Sequence, residues 1–182
     1  MGKISKKSND KQQLDGVRVV LWRIAPDNNV EVLFQKRDRV DAGGNKLVNA
    51  GAWCLPGRGS GAGENVSTTA GLCMTEELGL NPIASCATPL AWLYTGYAND
   101  AGREETIAYV QAQLHRGHGN VTIGQGAGMA FLSLVRDVGR TVMGHPFILR
   151  DREALECLRN RLQELKDSKA APYKDMSFEY WL

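Results

Sequence analysis

The feature that most constrains the fold of this chain is a glycine-rich loop followed at once by an amphipathic helix, in residues 58–80. The loop begins RGSGAGEN, which is too rich in glycine for regular structure. After it, apolar residues recur every four positions, at Val66, Ala70, Met74 and Leu78. This spacing predicts a helix over 65–78 with one apolar stripe. Asn65 is a suitable N-cap for it and Gly79 a suitable stop.

Strand-like segments lie on both sides of this helix. Runs of β-branched and large apolar residues between turn signals predict strands over 17–24 and 30–35, within 47–55, and over 87–97, 105–114 and 129–134. A closing helix is predicted over 151–166, with Asp151 as its cap and leucines on one face. This order of elements predicts a single α+β or α/β domain over 16–167. Residues 1–15 are expected to be a disordered basic tail, and 168–182 a tail with an apolar end.

Composition excludes several classes of function. The chain is 43% hydrophobic and 23% charged, as soluble globular proteins are. Its formal net charge of +2 is too small to indicate a nucleic-acid partner or an anionic membrane, and no apolar run is long enough to span a bilayer. The four cysteines are irregularly spaced without a C-x-x-C pair, which fits neither a disulfide framework nor a zinc site. We therefore expect a cytoplasmic protein that does not bind membranes.

The sequence WCLPG precedes the loop, and Glu64, Glu76, Glu77 and Gly79 follow it at fixed intervals. In these residues, together with Gly57, the segment 53–80 resembles the Nudix box, and all five positions hold register without a gap. Three signature positions depart from the pattern: Arg58 replaces a glycine, Leu72 an arginine and Cys73 a glutamate. The resemblance implies a Nudix-like α/β/α sandwich with a mixed sheet, in a single domain. It also implies a nucleotide-type ligand.

The resemblance further implies where a divalent cation would bind. The carbonyl of Gly57 and the carboxylates of Glu76 and Glu77 are the oxygen ligands that Mg²⁺ or Mn²⁺ would use. In the family a third carboxylate stands at the position of Cys73. Residues at i, i+3 and i+4 share one helical face, so the three carboxylates can bind the same cation. A thiol is softer than a carboxylate and normally neutral at pH 7. We therefore expect only weak binding of Mg²⁺ or Mn²⁺.

The departures from the Nudix box also change the contacts that are expected of arginine side chains. The box arginine pairs with the glutamate at position 76, whereas Leu72 forms no ion pair, so Glu76 is expected to be held by metal or solvent alone. Arg58 is expected to contact a ligand phosphate, or else to be merely tolerated in the loop. Arg37 follows the strand 30–35, where many family members place a basic residue facing the phosphates; a surface role is the alternative.

Three functions stay open on the sequence. The first is a binding protein for a nucleoside-diphosphate-linked ligand in which hydrolysis is lost or strongly reduced. The second is an active Mg²⁺- or Mn²⁺-dependent pyrophosphohydrolase in which Glu76 and Glu77 act with a base moved to Glu64, Glu104 or Glu105. The third is a purely structural or protein-binding role. The apolar end of 168–182 could dock on its own domain or on a second copy in a homodimer.

Overall fold

A computed structural model describes residues 14–40, 43–46, 49–100, 103–116, 128–133, 141–142, 145–146, 150–170 and 173–176. Its strands are β1 (Gly16–Ile24), β2 (Val30–Lys36), β3 (Trp53–Cys54), β4 (Gly57–Gly59), β5 (Ala91–Asp100), β6 (Arg103–Gln113), β7 (Gly128–Ser133), β8 (Thr141–Val142) and β9 (His145–Pro146). Its helices are α1 (Val66–Leu72), which continues as a π-helical turn over Cys73–Glu77, α2 (Pro82–Ser85), α3 (Arg150–Asp167) and a 3₁₀ turn over Tyr173–Asp175. No helix within these ranges is long and apolar enough to cross a membrane.

The strands form a mixed sheet. Within the described ranges its order is β3-β2-β1-β6-β5, with β4 paired to the start of β1 and β7 paired to β2. β1 is parallel to β6 and antiparallel to β2 and β4, while β8 and β9 form a separate two-stranded ribbon. Helices cover the sheet on both sides, because α1 and α3 belong to different apolar cores. The predicted single-domain α+β sandwich with a mixed sheet is confirmed.

Successive side chains of β1 point to opposite faces of the sheet, so β1 contributes apolar residues to both cores. On one face, Val17, Val19 and Leu21 pack with the stripe predicted on the first helix, of which Ala70, Met74 and Leu78 are buried and Val66 is partly buried. On the other face, Val20, Trp22 and Ile24 pack against Leu155, Leu158 and Leu162 of α3. Both predicted helical stripes are therefore core surfaces.

The described residues near the two ends of the domain pack against it, although both segments were predicted to be tails. Leu14 packs against the α1 core. Near the other end, Met176 is buried in the α3 core, and the Tyr173 hydroxyl donates to Gln113 Oε1 at 3.1 Å. The beginning of the predicted tail 168–182 therefore docks on its own domain. Its apolar end, 178–182, and the predicted basic tail up to residue 13 lie outside the described residues.

The short strand β4 was not predicted, and a glycine makes it possible. A Cβ on Gly57 would come within 2.4 Å of both the Val17 carbonyl oxygen and Arg18 Cδ. Only a residue without a side chain allows β4 to lie this close to β1, where Arg18 is opposite Gly57 and Val17 is opposite Arg58. The pairing fixes the backbone of Arg58 at the entrance to the glycine-rich loop.

A buried carboxylate holds the turn before β4. The sequence predicted Asp151 as the cap of the closing helix, which is wrong because α3 begins at Arg150 and Asp151 lies inside its first turn. The Asp151 carboxylate is buried and accepts hydrogen bonds from the Leu55 N–H at 2.8 Å and the Tyr109 hydroxyl at 2.9 Å. Arg18 Nη1 donates to the Leu55 carbonyl at 3.1 Å. Leu55 is thus held through both of its backbone polar groups.

Arg18 and Asp151 also act on each other electrostatically. Burial of the Arg18 guanidinium, the largest single effect, disfavours its charged form. The nearby Asp151 carboxylate, together with smaller contributions from Cys54, Tyr109 and Cys73, outweighs this and raises the pKa of Arg18 above its ordinary value. A buried acceptor and a charged donor therefore support one backbone position, two residues before Gly57. These contacts fix the backbone of Leu55, from which the chain continues into β4 and the glycine-rich loop.

Replacing Asp151 with alanine should lower the free energy of unfolding by roughly 2–5 kcal/mol, because the Leu55 N–H and Tyr109 hydroxyl would be left without an acceptor. Urea denaturation checks this. Asp167→Ala is the matched control, since Asp167 is exposed at the end of the same helix. A similar loss in both variants would contradict the anchoring role of Asp151.

Candidate functional site

Glu64 closes the glycine-rich loop. Its Oε2 accepts a hydrogen bond from the Gly61 N–H at 3.0 Å and another from the Thr69 hydroxyl at 2.9 Å. The Gly61 bond foremost, then the Thr69 bond and the charge of Arg58, lower the pKa of Glu64. Since a carboxylate stabilised in this way is a weak base, Glu64 is better suited to shaping the loop than to removing a proton.

The helix begins where the sequence predicted. Asn65 is the N-cap of α1, with its side-chain oxygen accepting from the Thr68 N–H at 2.9 Å. At the other end, Gly79 has a φ of +62°, a left-handed conformation that glycine adopts without strain. The predicted cap and stop are both confirmed, and together they set the position of the intervening glutamates.

Arg58 connects the loop to the end of the helix. Its Nη1 donates to Glu76 Oε2 at 2.8 Å, and its Nη2 lies 3.7 Å from Glu64 Oε1. A guanidinium can contact two carboxylates at once because its donors form a planar fork. The expectation that Glu76 is held by metal or solvent alone is therefore wrong. Arg58 reaches Glu76 from β4, and the pairing of β4 with β1 was not predicted from the sequence.

The three positions predicted to share one face, Cys73, Glu76 and Glu77, differ in their exposure to solvent. α1 widens into a π-helical turn over Cys73–Glu77, a rare geometry that changes the register of the side chains. Cys73 is fully buried and Glu77 is only 9% exposed, whereas the Glu76 side chain is 61% exposed. The predicted common face therefore does not include Glu76, whereas Cys73 and Glu77 are both buried and the charge of Glu77 acts on the Cys73 thiol.

Cys73 belongs to the apolar core and not to the charged site. It packs with Ala70, Met74 and Leu78. Burial, reinforced by the charge of Glu77, raises the pKa of the Cys73 thiol to about 12. Its thiolate is therefore scarce at neutral pH, and only the thiolate acts as a metal ligand or nucleophile.

Glu77 is the buried carboxylate of the site. Its burial raises its pKa, while the positive charges of Arg18 and then Arg58 act in the opposite direction. Arg18 therefore takes part in the site as well as in holding Leu55. This role was not predicted from the sequence, although a charged residue within the apolar run VRVVLW was a usable signal.

The arrangement fits a divalent cation poorly. The described part of the chain contains no group of three or more histidine, cysteine, aspartate or glutamate side chains placed to hold a metal. Glu76 is engaged by Arg58, Glu64 by its loop, and Glu77 is largely buried. Mg²⁺ needs several oxygen ligands in near-octahedral geometry, so these carboxylates would have to leave their present partners to supply them.

The remaining predicted residues lie on neighbouring elements. Arg37 directly follows β2, where its N–H donates to the Ala52 carbonyl at 2.9 Å and its carbonyl accepts from the Gly51 N–H at 3.2 Å. This pairing ties the backbone of Arg37 to the segment that leads into β3, and its side chain is half-buried.

Glu104 and Glu105 lie at the start of β6, where Glu104 is exposed and Glu105 is half-buried. Asp15 joins this end of β6 to the glycine-rich loop. Its N–H donates to the Thr106 carbonyl at 2.9 Å, its carboxylate accepts from the Thr106 N–H at 2.8 Å, and its carbonyl accepts from the Ser60 N–H at 3.0 Å. Both glutamates therefore lie at the same end of the sheet as the loop.

Introducing the glutamate that the Nudix box has at position 73 should destabilise the protein. Cys73→Glu would place a carboxylate in a fully buried apolar site beside Glu77, and burying an unpaired charge is costly. We expect its free energy of unfolding at neutral pH to fall at least ~2 kcal/mol below that of Cys73→Ala.

Chemical denaturation of Cys73→Glu and Cys73→Ala side by side measures this difference, and Cys73→Ala controls for loss of the thiol. Equal stability of the two variants would show that position 73 has access to water, contrary to the packing described above.

Comparisons with known proteins identify the fold. No protein-family model and no curated protein matches the sequence. Among solved structures, a mutT/nudix family protein from Listeria innocua matches with a TM-score of 0.60 and 18% identity, over 85% of this chain and 98% of that chain. The NUDIX domain of Shewanella oneidensis NrtR, complexed with ADP ribose, matches with a TM-score of 0.56 and 19% identity, over 82% and 88%. A C. elegans Ap4A hydrolase binary complex matches with a TM-score of 0.58 and 15% identity, over 84% and 99%. The chain has the Nudix fold.

Proposed function

We propose that this Nudix-fold protein binds a nucleotide-type ligand, a nucleoside diphosphate linked to a further group, and hydrolyses its phosphoanhydride slowly or not at all. One structural neighbour is complexed with ADP ribose and another is an Ap4A hydrolase, which supports a ligand of this class. The observation that carries the proposal is the ion pair between Arg58 and Glu76. It neutralises the most accessible carboxylate of the box.

Slow hydrolysis follows from the state of the box side chains. Attack on a phosphoanhydride needs a directed water and positive charge on the phosphoryl oxygens. Here Glu76 is paired with Arg58, Glu77 is largely buried, and position 73 supplies a core thiol. The loss of one positioned base alone reduces a rate by about 10²–10⁴. We therefore assign the site to binding.

Arg58 and Arg37 are the proposed contacts to the ligand phosphates. The Arg58 side chain is 23% exposed, so part of its guanidinium faces solvent while Nη1 holds Glu76. An arginine fork has more donors than the contacts with Glu76 and Glu64 use, so Arg58 can donate to a phosphate as well. Mg²⁺ or Mn²⁺ is proposed to bind only weakly, at the Gly57 carbonyl, Glu76 and Glu77, since binding there competes with Arg58.

A second function is favoured by one specific observation. The bonds of Asp15 hold the start of β6 beside the glycine-rich loop, so Glu105 and Glu104 lie at the end of the sheet where a relocated base would be needed. In that case the protein is an active Mg²⁺- or Mn²⁺-dependent pyrophosphohydrolase, with one of these residues or Glu64 as the base.

The proposed location is the cytoplasm. All four cysteines, Cys54, Cys73, Cys86 and Cys157, are free thiols. Free thiols are usual in the reducing interior of the cell, whereas extracellular proteins more often pair them.

A panel of nucleotides tests the proposal. ADP ribose, ADP, ATP and Ap4A are titrated in a calorimeter, and the same mixtures are assayed for released phosphate and nucleoside monophosphate. We expect saturable binding of at least one compound, with release that is slow or not above the rate of the buffer. Glu77→Gln should leave both results unchanged.

Failure to bind any compound would contradict the ligand class. Rapid hydrolysis by the wild-type protein that Glu77→Gln abolishes would contradict the loss of activity and establish the second function. Glu105→Gln and Glu104→Gln would then identify the base by the rate that each one loses.

A further inference from the structure

We propose that Arg58 is a tethered cation that occupies the place of a divalent ion between Glu64 and Glu76, holds these two carboxylates together, and weakens the binding of divalent metal there. The inference concerns the chain's own residues in the absence of any ligand. It therefore goes beyond the proposed function and does not depend on which nucleotide binds.

The contacts of Arg58 are those of a shared counter-ion. One nitrogen lies 2.8 Å from a Glu76 oxygen and another lies 3.7 Å from a Glu64 oxygen. Its positive charge also favours the ionised form of Glu64. A single guanidinium thus contacts two box carboxylates, one from the loop and one from the π-helical turn.

The position of Arg58 is fixed by the sheet before any ligand arrives. β4 pairs with β1 through the close approach of Gly57 to Val17 and Arg18. Two residues earlier, Leu55 is held by Asp151 and Arg18. A cation attached to such a backbone loses no translational freedom when it meets the carboxylates, whereas a free ion does. The tethered charge is therefore a strong competitor of a dissolved cation.

The same residue explains two of the three departures from the Nudix box. Glycine at position 58 would leave the carboxylates without a guanidinium, and arginine at position 72 would supply one from the helix. Here Arg58 supplies it from the strand, so Leu72 needs no charge and is free to be apolar and partly buried. A cation entering between Glu64 and Glu76 would meet the positive charge of Arg58 and would have to displace it.

Titration of Mn²⁺ into nucleotide-free protein tests the proposal. Arg58→Met keeps most of the side-chain length and removes the charge, so Glu76 and Glu64 become available and Mn²⁺ affinity should rise about tenfold. Arg58→Lys keeps a positive charge and should remain close to the wild-type protein. In the Arg58→Met background, Glu76→Gln should abolish the gain.

Arg23→Met is the matched control. Arg23 also lies 2.8 Å from a glutamate oxygen, that of Glu31, but it lies at the far end of β1. Its removal should leave Mn²⁺ affinity unchanged. Circular dichroism and thermal melting establish that each variant is folded, and Arg58→Gly, which has the residue found in the Nudix box, replaces Arg58→Met if that variant does not fold.

Equal Mn²⁺ affinity in the wild-type protein and in the charge-removing variant would overturn the proposal, as would an equal gain in Arg23→Met. Because no nucleotide is present, these results are independent of the test of the proposed function. A protein that binds nucleotides but shows no gain in Mn²⁺ affinity keeps the proposed function and loses the inference about Arg58.

Discussion

Carboxylates brought together at the end of a helix repel one another unless a cation lies among them, and in this chain Arg58 supplies the positive charge. Its guanidinium joins Glu76, on the π-helical turn, to Glu64, in the glycine-rich loop. This contact links the loop, the helix end and the strand β4. In the proposed account it also weakens metal binding, since the charges of Glu64 and Glu76 are already compensated.

Support for Arg58 comes from the interior of the domain. Asp151, on α3, reaches across the apolar core to the Leu55 N–H, and Arg18, on β1, donates to the carbonyl of the same residue. These bonds set the turn before Gly57, whose missing side chain lets β4 lie against β1. Helix, sheet and turn are therefore joined by polar contacts that converge on Leu55, three residues before Arg58.

Sequence reasoning succeeded where local patterns determine the structure. The apolar stripes of the two long helices, the cap at Asn65 and the stop at Gly79 were all readable from spacing and residue type. Most strands were readable for the same reason, and so was the fold class, because the order of elements restricts the ways in which a sheet and two helices can pack.

The site itself was less predictable because its contacts are long-range. Arg58 meets Glu76 only after β4 pairs with β1, and no local pattern announces a strand as short as Gly57–Gly59. Asp151 looked like a cap because helix-start signals do not reveal a partner at Leu55. Cys73 was placed on the charged face by ordinary helical spacing, which the π-helical turn alters. In each case tertiary packing overrode a rule that holds for isolated segments.

The most direct test of the account is an anomalous diffraction measurement on crystals of the wild-type protein and of Arg58→Met, soaked side by side in the same Mn²⁺ solution. The account predicts a manganese peak beside Glu76 in the variant alone, with Arg58 of the wild-type protein still bonded to the Glu76 carboxylate. A peak of equal height in the wild-type crystal, bridging the Gly57 carbonyl, Glu76 and Glu77, would contradict it.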